Sequence, residues 1–168
     1  MEYLESHRLY LRKLHPSDAP NLFKLDSDPD VVRYVGGGPV VSIRQSQEAI
    51  QRVRQYYERH PGFGIFAAIE KQSWAFVGWF ALKHLDQTEE VEIGYRLLKV
   101  HWGRGLATEM GHKLIEHGFG TLKLPKLVAV TQAGNSASQR VLIKLGLCFA
   151  GERFYYNQTV HYFERLNQ

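Results

Sequence analysis

The sequence predicts a mixed α/β fold, with a mainly antiparallel central sheet of about six to seven strands flanked by about four helices. Three observations lead there. The segments "FGIFAAIE", "AFVGWFALKHL" and "EVEIGYRLL" are rich in aromatic and β-branched residues, are joined by short polar turns, and read as an antiparallel meander. Elsewhere apolar residues recur at helical spacing. Strands and helices then interleave in the order β, α, α, β, β, β, α, β, α, β, β, which calls for a mixed sheet with helices on its faces.

The elements follow in chain order. "RLYLRKL" alternates at Leu9 and Leu11 and ends at "HPSD". Ser17 or Asp18 can cap a short helix through Leu25. Beyond "DSDPD" and the loop "GGGP", residues 36–39, the spacing of Ile43, Ile50, Val53 and Tyr57 predicts a second helix ending near Pro61. After the meander, Leu106, Met110 and Leu114 mark one face of a helix from about Leu106 to Phe119, and "KLVAVTQ" is a strand. A final helix from Asn135 to Leu145 carries Ala137, Val141 and Leu145 on one stripe, with Gly146 as its C-cap glycine. "LCFAGERFYY" and "TVHYFERL" close the chain as a hairpin around "NQ".

A chain of 168 residues with 44% apolar and 12% aromatic content suits one globular domain spanning residues 1–168. Its net charge of +4 is a mild bias that suits phosphates or acidic partners. The basic residues are dispersed, with no aromatic-basic platform, so nucleic acid is not an expected partner. Cys148 is the only cysteine, which excludes an internal disulfide and a Cys-based zinc cluster and fits a reducing cytoplasm. The N-terminus, "MEYLESHRLYLRKLH", lacks an apolar core of signal length, and no later run approaches a membrane span. The expectation is a soluble cytoplasmic protein, a monomer or homodimer.

The stretch "HWGRGLATEM", residues 101–110, places glycines between a strand and a helix. A helix start leaves about four N–H groups unpartnered and carries roughly half a positive charge. Gly103 and Gly105 remove side chains where an anion would approach the main chain, Ala107 keeps the next turn low, and Arg104 adds a cation. Two nucleotide motifs fail. A Rossmann fingerprint needs Gly or Ala where the chain has Thr108, and an acid ending the next strand where it has Thr131 and Gln132; a P-loop needs Gly-Lys-Ser/Thr. A plain tight turn is the remaining alternative.

"EIGYRLLKVHWGRGLATEM", residues 92–110, followed by "NSASQRVLIKLGL", residues 135–147, resembles the GNAT acetyltransferase superfamily, in the branch of ribosomal-protein N-terminal acetyltransferases (RimJ/RimL-like). The resemblance begins at "RLYLRKLHPSDA" and spans nearly the whole chain. It implies a GNAT-type sheet and acetyl-CoA as cosubstrate. The turn Trp102, Gly103, Arg104, Gly105, Leu106, Ala107 and Thr108 would hold the pyrophosphate by main-chain amides. The pantetheine arm would lie along Gly94–Lys99, hence against Tyr95, Arg96, Leu97 and Leu98, and Asn135 would contact the cofactor. The amide near Leu97 or Leu98 would be the oxyanion donor. Trp102 fills a slot often held by Gln or Arg, so phosphate contact there falls to main-chain groups.

One departure bears on mechanism. Many relatives carry a tyrosine seven residues after that asparagine, where it can protonate the departing thiolate; this chain has Leu142. Ser138 lies one helical turn from both Asn135 and Leu142, so its hydroxyl can serve the sulfur instead, or merely bond the helix backbone.

An attacking amine must be unprotonated, so the reaction needs a proton acceptor and a donor for the carbonyl oxygen. Glu92 is the leading base, on one strand face with Gly94 and Arg96, with a solvated strand-end carboxylate as the alternative; Glu152 and Tyr155 are weaker candidates. The histidines show no metal-ligand spacing, and no metal is expected; His101, His112 and His117 read as exposed polar positions. Cys148 reads as a small buried hydrophobe. The acceptor would be shaped by residues 28–40 and 152–162, with Gly36, Gly37 and Gly38 making the first wall mobile. The sequence thus points to acetyl transfer from acetyl-CoA straight to an amine acceptor, with a non-catalytic acyl-CoA-binding module as the alternative.

Overall fold

A computed structural model describes residues 4–168. Met1–Tyr3 at the N-terminus lie outside the described residues. The strands are β1 (Leu4–Glu5), β2 (Leu9–Lys13), β3 (Gly64–Glu70), β4 (Phe76–His84), β5 (Val91–Leu97), β6 (Lys126–Thr131), β7 (Cys148–Tyr155) and β8 (Gln158–Leu166). The helices are α1 (Ala19–Asp26), α2 (Ile43–Arg59), α3 (Leu106–Glu116) and α4 (Ser136–Lys144). All eight strands form one sheet in the order β1-β2-β3-β4-β5-β6-β8-β7. Among the described residues only the β5–β6 contact is parallel.

The count exceeds the predicted six to seven by the two-residue ribbon β1, which carries too little pattern to be read from sequence. Glu109 of α3 ties that ribbon down: its carboxylate accepts from Ser6 Oγ, the Arg8 amide and Arg8 Nε, each at 2.7 Å. The third helix also stops earlier than predicted, passing at His117 into a π-helical turn that ends at Thr121. There His117 is not the exposed residue expected: its Nε2 is buried, with no hydrogen-bond partner among the described residues.

The core forms on both sides of the sheet. Against one face Leu106, Met110 and Leu114 of α3, Leu142 of α4 and Leu145 at its C-cap pack on Phe66, Phe80, Ile93 and Leu127. Against the other, Leu22 and Leu25 of α1 and Ile50 of α2 meet Ala67, Ile69, Phe76 and Leu98. Period-two alternation therefore sends Ile93, Tyr95 and Leu97 toward α3 and α4, and Glu92, Gly94 and Arg96 toward α1 and α2. A Ser42–Gln45 capping box starts α2. The entry to α1 is more elaborate than a simple cap: Pro16–Asp18 form a 3-10 turn, and buried Asp18 takes both guanidinium N–H groups of Arg12 at 2.7 Å and the His15 amide at 2.8 Å. Burial works to raise the Asp18 carboxyl, but the Arg12 and His15 hydrogen bonds prevail and hold it below the ordinary range.

Cys148 contradicts the expectation of burial. It is exposed, at the start of β7, the last strand of the sheet among the described residues. Among the described residues no helix is long and apolar enough to cross a membrane.

Candidate active site

The site originates in a failure of pairing. β5 and β6 meet at one register pair, Glu92↔Val128, and beyond it β5 runs on to Leu97 without β6 beside it. Amide directions alternate along a strand. The Leu98 N–H is spent on Val77 O at 2.9 Å, on the β4 side, so the amides of Leu97 and Tyr95 turn to the opposite, open edge. This separates the two oxyanion candidates. Leu98 is buried in the α1/α2 core and its amide is taken, which leaves Leu97.

A cleft of ≈ 690 Å³ opens at this splay. Tyr95, Arg96, Leu97, Trp102, Gly103, Gly105, Leu106, Ala107, Thr108, Asn135 and Ser138 all line it; Leu98, Arg104 and Glu92 do not. The turn into α3 is built for close approach. Gly103 (φ +73°) and Gly105 (φ +76°) are left-handed, and a Cβ on Gly103 would meet nothing within 4 Å. The first helical acceptor bond is Glu109 N–H to Gly105 O, so the amides of Leu106, Ala107 and Thr108 have no helical acceptor. Trp102 Nε1 donates to Leu97 O at 2.8 Å and fastens this turn to the end of β5. These features fit a diphosphate, and the channel beside the open edge of β5 fits a pantetheine arm.

Arg104 departs from its expected place at the phosphates. Its guanidinium turns away to Glu70 Oε1 at 2.5 Å and His101 Nδ1 at 2.9 Å. Other cations stand at the cleft instead. Arg33, Arg140 and Lys144 line it, and none forms an ion pair among the described residues. The sequence held a signal for two of them, since 140 and 144 fall on the α4 stripe of Ala137 and Val141, which also line the cleft.

Asn135 caps α4, its Oδ1 accepting from the Ser138 N–H at 3.1 Å. Leu142 faces the core at 4% exposure, so the absent tyrosine leaves no gap in the cleft.

Residues 28–40 divide. Asp30, Val31, Arg33, Tyr34 and Val35 border the same cleft as the cofactor residues. Arg96 Nη1 of β5 pairs with Asp26 Oδ1 at the end of α1, just before this segment, and Lys99 Nζ, two residues beyond β5, pairs with Asp30 Oδ2 within it, each at 2.5 Å. Arg96 also lies over the Trp79 ring, 5.1 Å from its centroid.

Glu92 sits on the far side of β5 from Tyr95, at 6% exposure, and is no solvated strand-end acid. Its Oε1 accepts from both Lys83 Nζ and the Tyr156 hydroxyl, and Lys83 Nζ also reaches Tyr156 Oη at 2.8 Å. Oε2 has no protein partner among the described residues, and it is not sealed from solvent. Burial works against the Lys83 ammonium, but Glu92 and Tyr156 outweigh it and hold it above its usual range. The turn of the last hairpin delivers Tyr156, whose N–H donates to Asp86 Oδ2 at 2.6 Å. Nothing near Glu92 in sequence announces Lys83 or Tyr156. Glu152 and Tyr155 lie outside the cleft, Glu152 beside His161 at 3.4 Å. Among the described residues no group of three His, Cys, Asp or Glu is placed to hold a metal.

A family model described as "Acetyltransferase (GNAT) domain" matches residues 8–147. The chain is 35% identical over 145 residues to the uncharacterized N-acetyltransferase YoaA of Bacillus subtilis, covering 85% of this chain and 81% of that one. It is 28% identical to the FsC-acetyl coenzyme A-N(2)-transacetylase of Aspergillus fumigatus, over 86% of this chain and 64% of that one. Among solved structures, the ribosomal L7/L12 α-N-protein acetyltransferase RimL in complex with coenzyme A superposes with TM-score 0.82 at 18% identity, covering 98% of each chain.

Proposed function

The chain belongs to the GNAT acetyltransferase family and is an N-acetyltransferase that uses acetyl-CoA, and on that premise we propose that it transfers the acetyl group directly to a primary amine within a ternary complex. The acceptor is a peptide N-terminus or a small-molecule amine. Residues 1–168 act as a single domain, and a reducing cytoplasm accords with the lone cysteine. Acetyl-CoA supplies an activated thioester, so the protein needs no covalent nucleophile.

The observation that carries this reading is the splay of β5 from β6 beside a glycine turn with unpaired amides. The amides of Leu106 to Thr108 bind phosphate, with Arg140 and Lys144 as counter-charges. The Leu97 N–H donates to the thioester oxygen. Ser138 donates to the sulfur. Glu92, fixed through Oε1, receives the amine proton at Oε2, directly or through water. Positioning supplies much of the rate, and the fixed Trp102 and Arg96 contacts hold both walls in register.

Two relatives frame the acceptor question. RimL is named for a ribosomal protein N-terminus, and a relative from Escherichia coli, 23% identical over 88% of this chain and 76% of that one, is named a spermidine N(1)-acetyltransferase. Release of free thiol from acetyl-CoA against a panel of peptide N-termini and small amines tests the proposal. Turnover with at least one class is expected. Tight coenzyme A binding with silence across the panel would replace the enzyme reading with a binding module.

A further inference from the structure

The tip of the last hairpin carries a side chain that its backbone does not favour. Tyr155 and Gln158 pair across a two-residue turn whose central residues are both left-handed, Tyr156 at φ +53° and Asn157 at φ +58°. Glycine, asparagine and aspartate suit such a turn, and a bulky side chain there is strained. Asn157 fits and Tyr156 does not. The Tyr156 ring is 40% exposed, so apolar burial is not what offsets the strain. Polar contacts hold it. The Tyr156 N–H donates to Asp86 Oδ2 at 2.6 Å, and the hydroxyl meets Lys83 Nζ at 2.8 Å, the Asp86 N–H at 3.2 Å and Glu92 Oε1. The direction of each bond follows by elimination. An ammonium and a backbone N–H can only donate, so they take the lone pairs of the phenol oxygen, and its single proton goes to Glu92 Oε1. Lys83 is equally committed, its three N–H groups directed to Glu92 Oε1, Tyr156 Oη and His84 O. Burial raises the Tyr156 phenol above its ordinary range and the Glu92 charge adds to this, against Lys83, so the phenol keeps its proton at neutral pH. Strain fixed in place by such a network points to function.

We propose that Tyr156 is a positioning residue for the base: its phenol donates to Glu92 Oε1, stops the carboxylate from rotating and leaves Oε2 aimed at the acceptor nitrogen. The inference rests on the reading of Glu92 as the base. As the amine nitrogen bonds the acetyl carbon, the carbon–sulfur bond breaks and the sulfur keeps its electron pair. The surplus proton passes from the nitrogen to Glu92 Oε2 and from there to water. The Tyr156 proton stays on the phenol throughout. The strained turn thus joins the hairpin end of the acceptor wall to the proton transfer.

The test is steady-state kinetics, with an acceptor from the panel above, on the unsubstituted protein, Tyr156→Phe, Tyr156→Gly, Glu92→Gln and the Glu92→Gln/Tyr156→Phe double variant. Phenylalanine keeps the ring and removes the hydroxyl. Glycine also relieves the left-handed turn, so it carries the test if phenylalanine does not fold, and thermal unfolding follows both. Each Tyr156 variant should lower kcat about 5- to 20-fold, with KM for acetyl-CoA within about twofold. In the Glu92→Gln background Tyr156→Phe should cost less than about twofold, because a carboxamide that takes no proton gains nothing from being aimed. A purely structural role would move the unfolding temperature and lower kcat by the same factor with or without the Glu92 carboxylate. Effects that multiply in the double variant, or an unchanged kcat in a Tyr156 variant that folds, overturn the proposal and leave Glu92 its role. Near-normal turnover in Glu92→Gln, or silence across the panel, overturns the base reading instead, and this inference with it.

Discussion

At Gly103–Thr108 the site offers main-chain amides in a turn of consecutive residues, whereas at Glu92 it offers one carboxylate held by Lys83 from β4 and Tyr156 from the last hairpin. The first wall is local: two left-handed glycines and a helix start make it wherever they occur. The second exists only because β4, β5 and the β7–β8 turn converge. The phosphate end therefore tolerates changes of side chain but not of backbone freedom, and the base end the reverse.

The sharpest way to break this contrast is Glu92→Gln, which keeps the shape and the Oε1 acceptor but removes the charge. We expect kcat to fall about 100-fold or more, with coenzyme A affinity within about twofold by calorimetry. Near-normal turnover would remove Glu92 from the chemistry. Next comes Gly105→Asp, at a left-handed position in the turn proposed to hold the phosphates. Backbone strain and like charge together amount to roughly 2–3 kcal/mol, or about 30- to 150-fold in coenzyme A affinity, in a protein that still folds. Undiminished affinity would move the phosphate site elsewhere.

Arg140→Ala probes a side chain on the backbone-built wall. Its exposed cation should matter less than the amides, weakening coenzyme A binding about 3- to 5-fold at low salt and hardly at all at high salt. A loss as large as that of Gly105→Asp would erase the contrast. The smallest functional effect belongs to Asp18→Asn, a side-chain network of the same kind placed far from the chemistry. Activity should stay within about twofold, while stability falls by roughly 2 kcal/mol at neutral pH, read as a drop of about 4–8 °C in Tm. The Asp18 carboxyl is lowered in the folded state, so its contribution is full above the unfolded value of about 3.9 and fades as pH falls through the folded value. The gap between the two proteins should accordingly close in acid; a gap that persisted there would assign the cost to packing.

Legibility in the sequence divides along the same line. The meander, the glycine turn and the last helix were all readable, because each is fixed by neighbours within a few positions. Arg104 misled because its charge was visible and its partner Glu70, at the end of β3, was not. Cys148 misled because an apolar strand reads as buried wherever it lies, and how little covers β7 is a fact of tertiary packing. Leu97 and Leu98 were indistinguishable until Val77 claimed the Leu98 amide.

The sequence by itself determined the order of the main elements, the glycine turn before α3 and the absence of a tyrosine at position 142, since local spacing, missing side chains and a plain substitution need no third dimension. Tertiary structure alone decided that β6 leaves β5 after Glu92 and that Lys83 and Tyr156 close on that carboxylate. These depend on strand register and on which face each strand turns toward its helices, properties of the whole sheet that no stretch of chain contains.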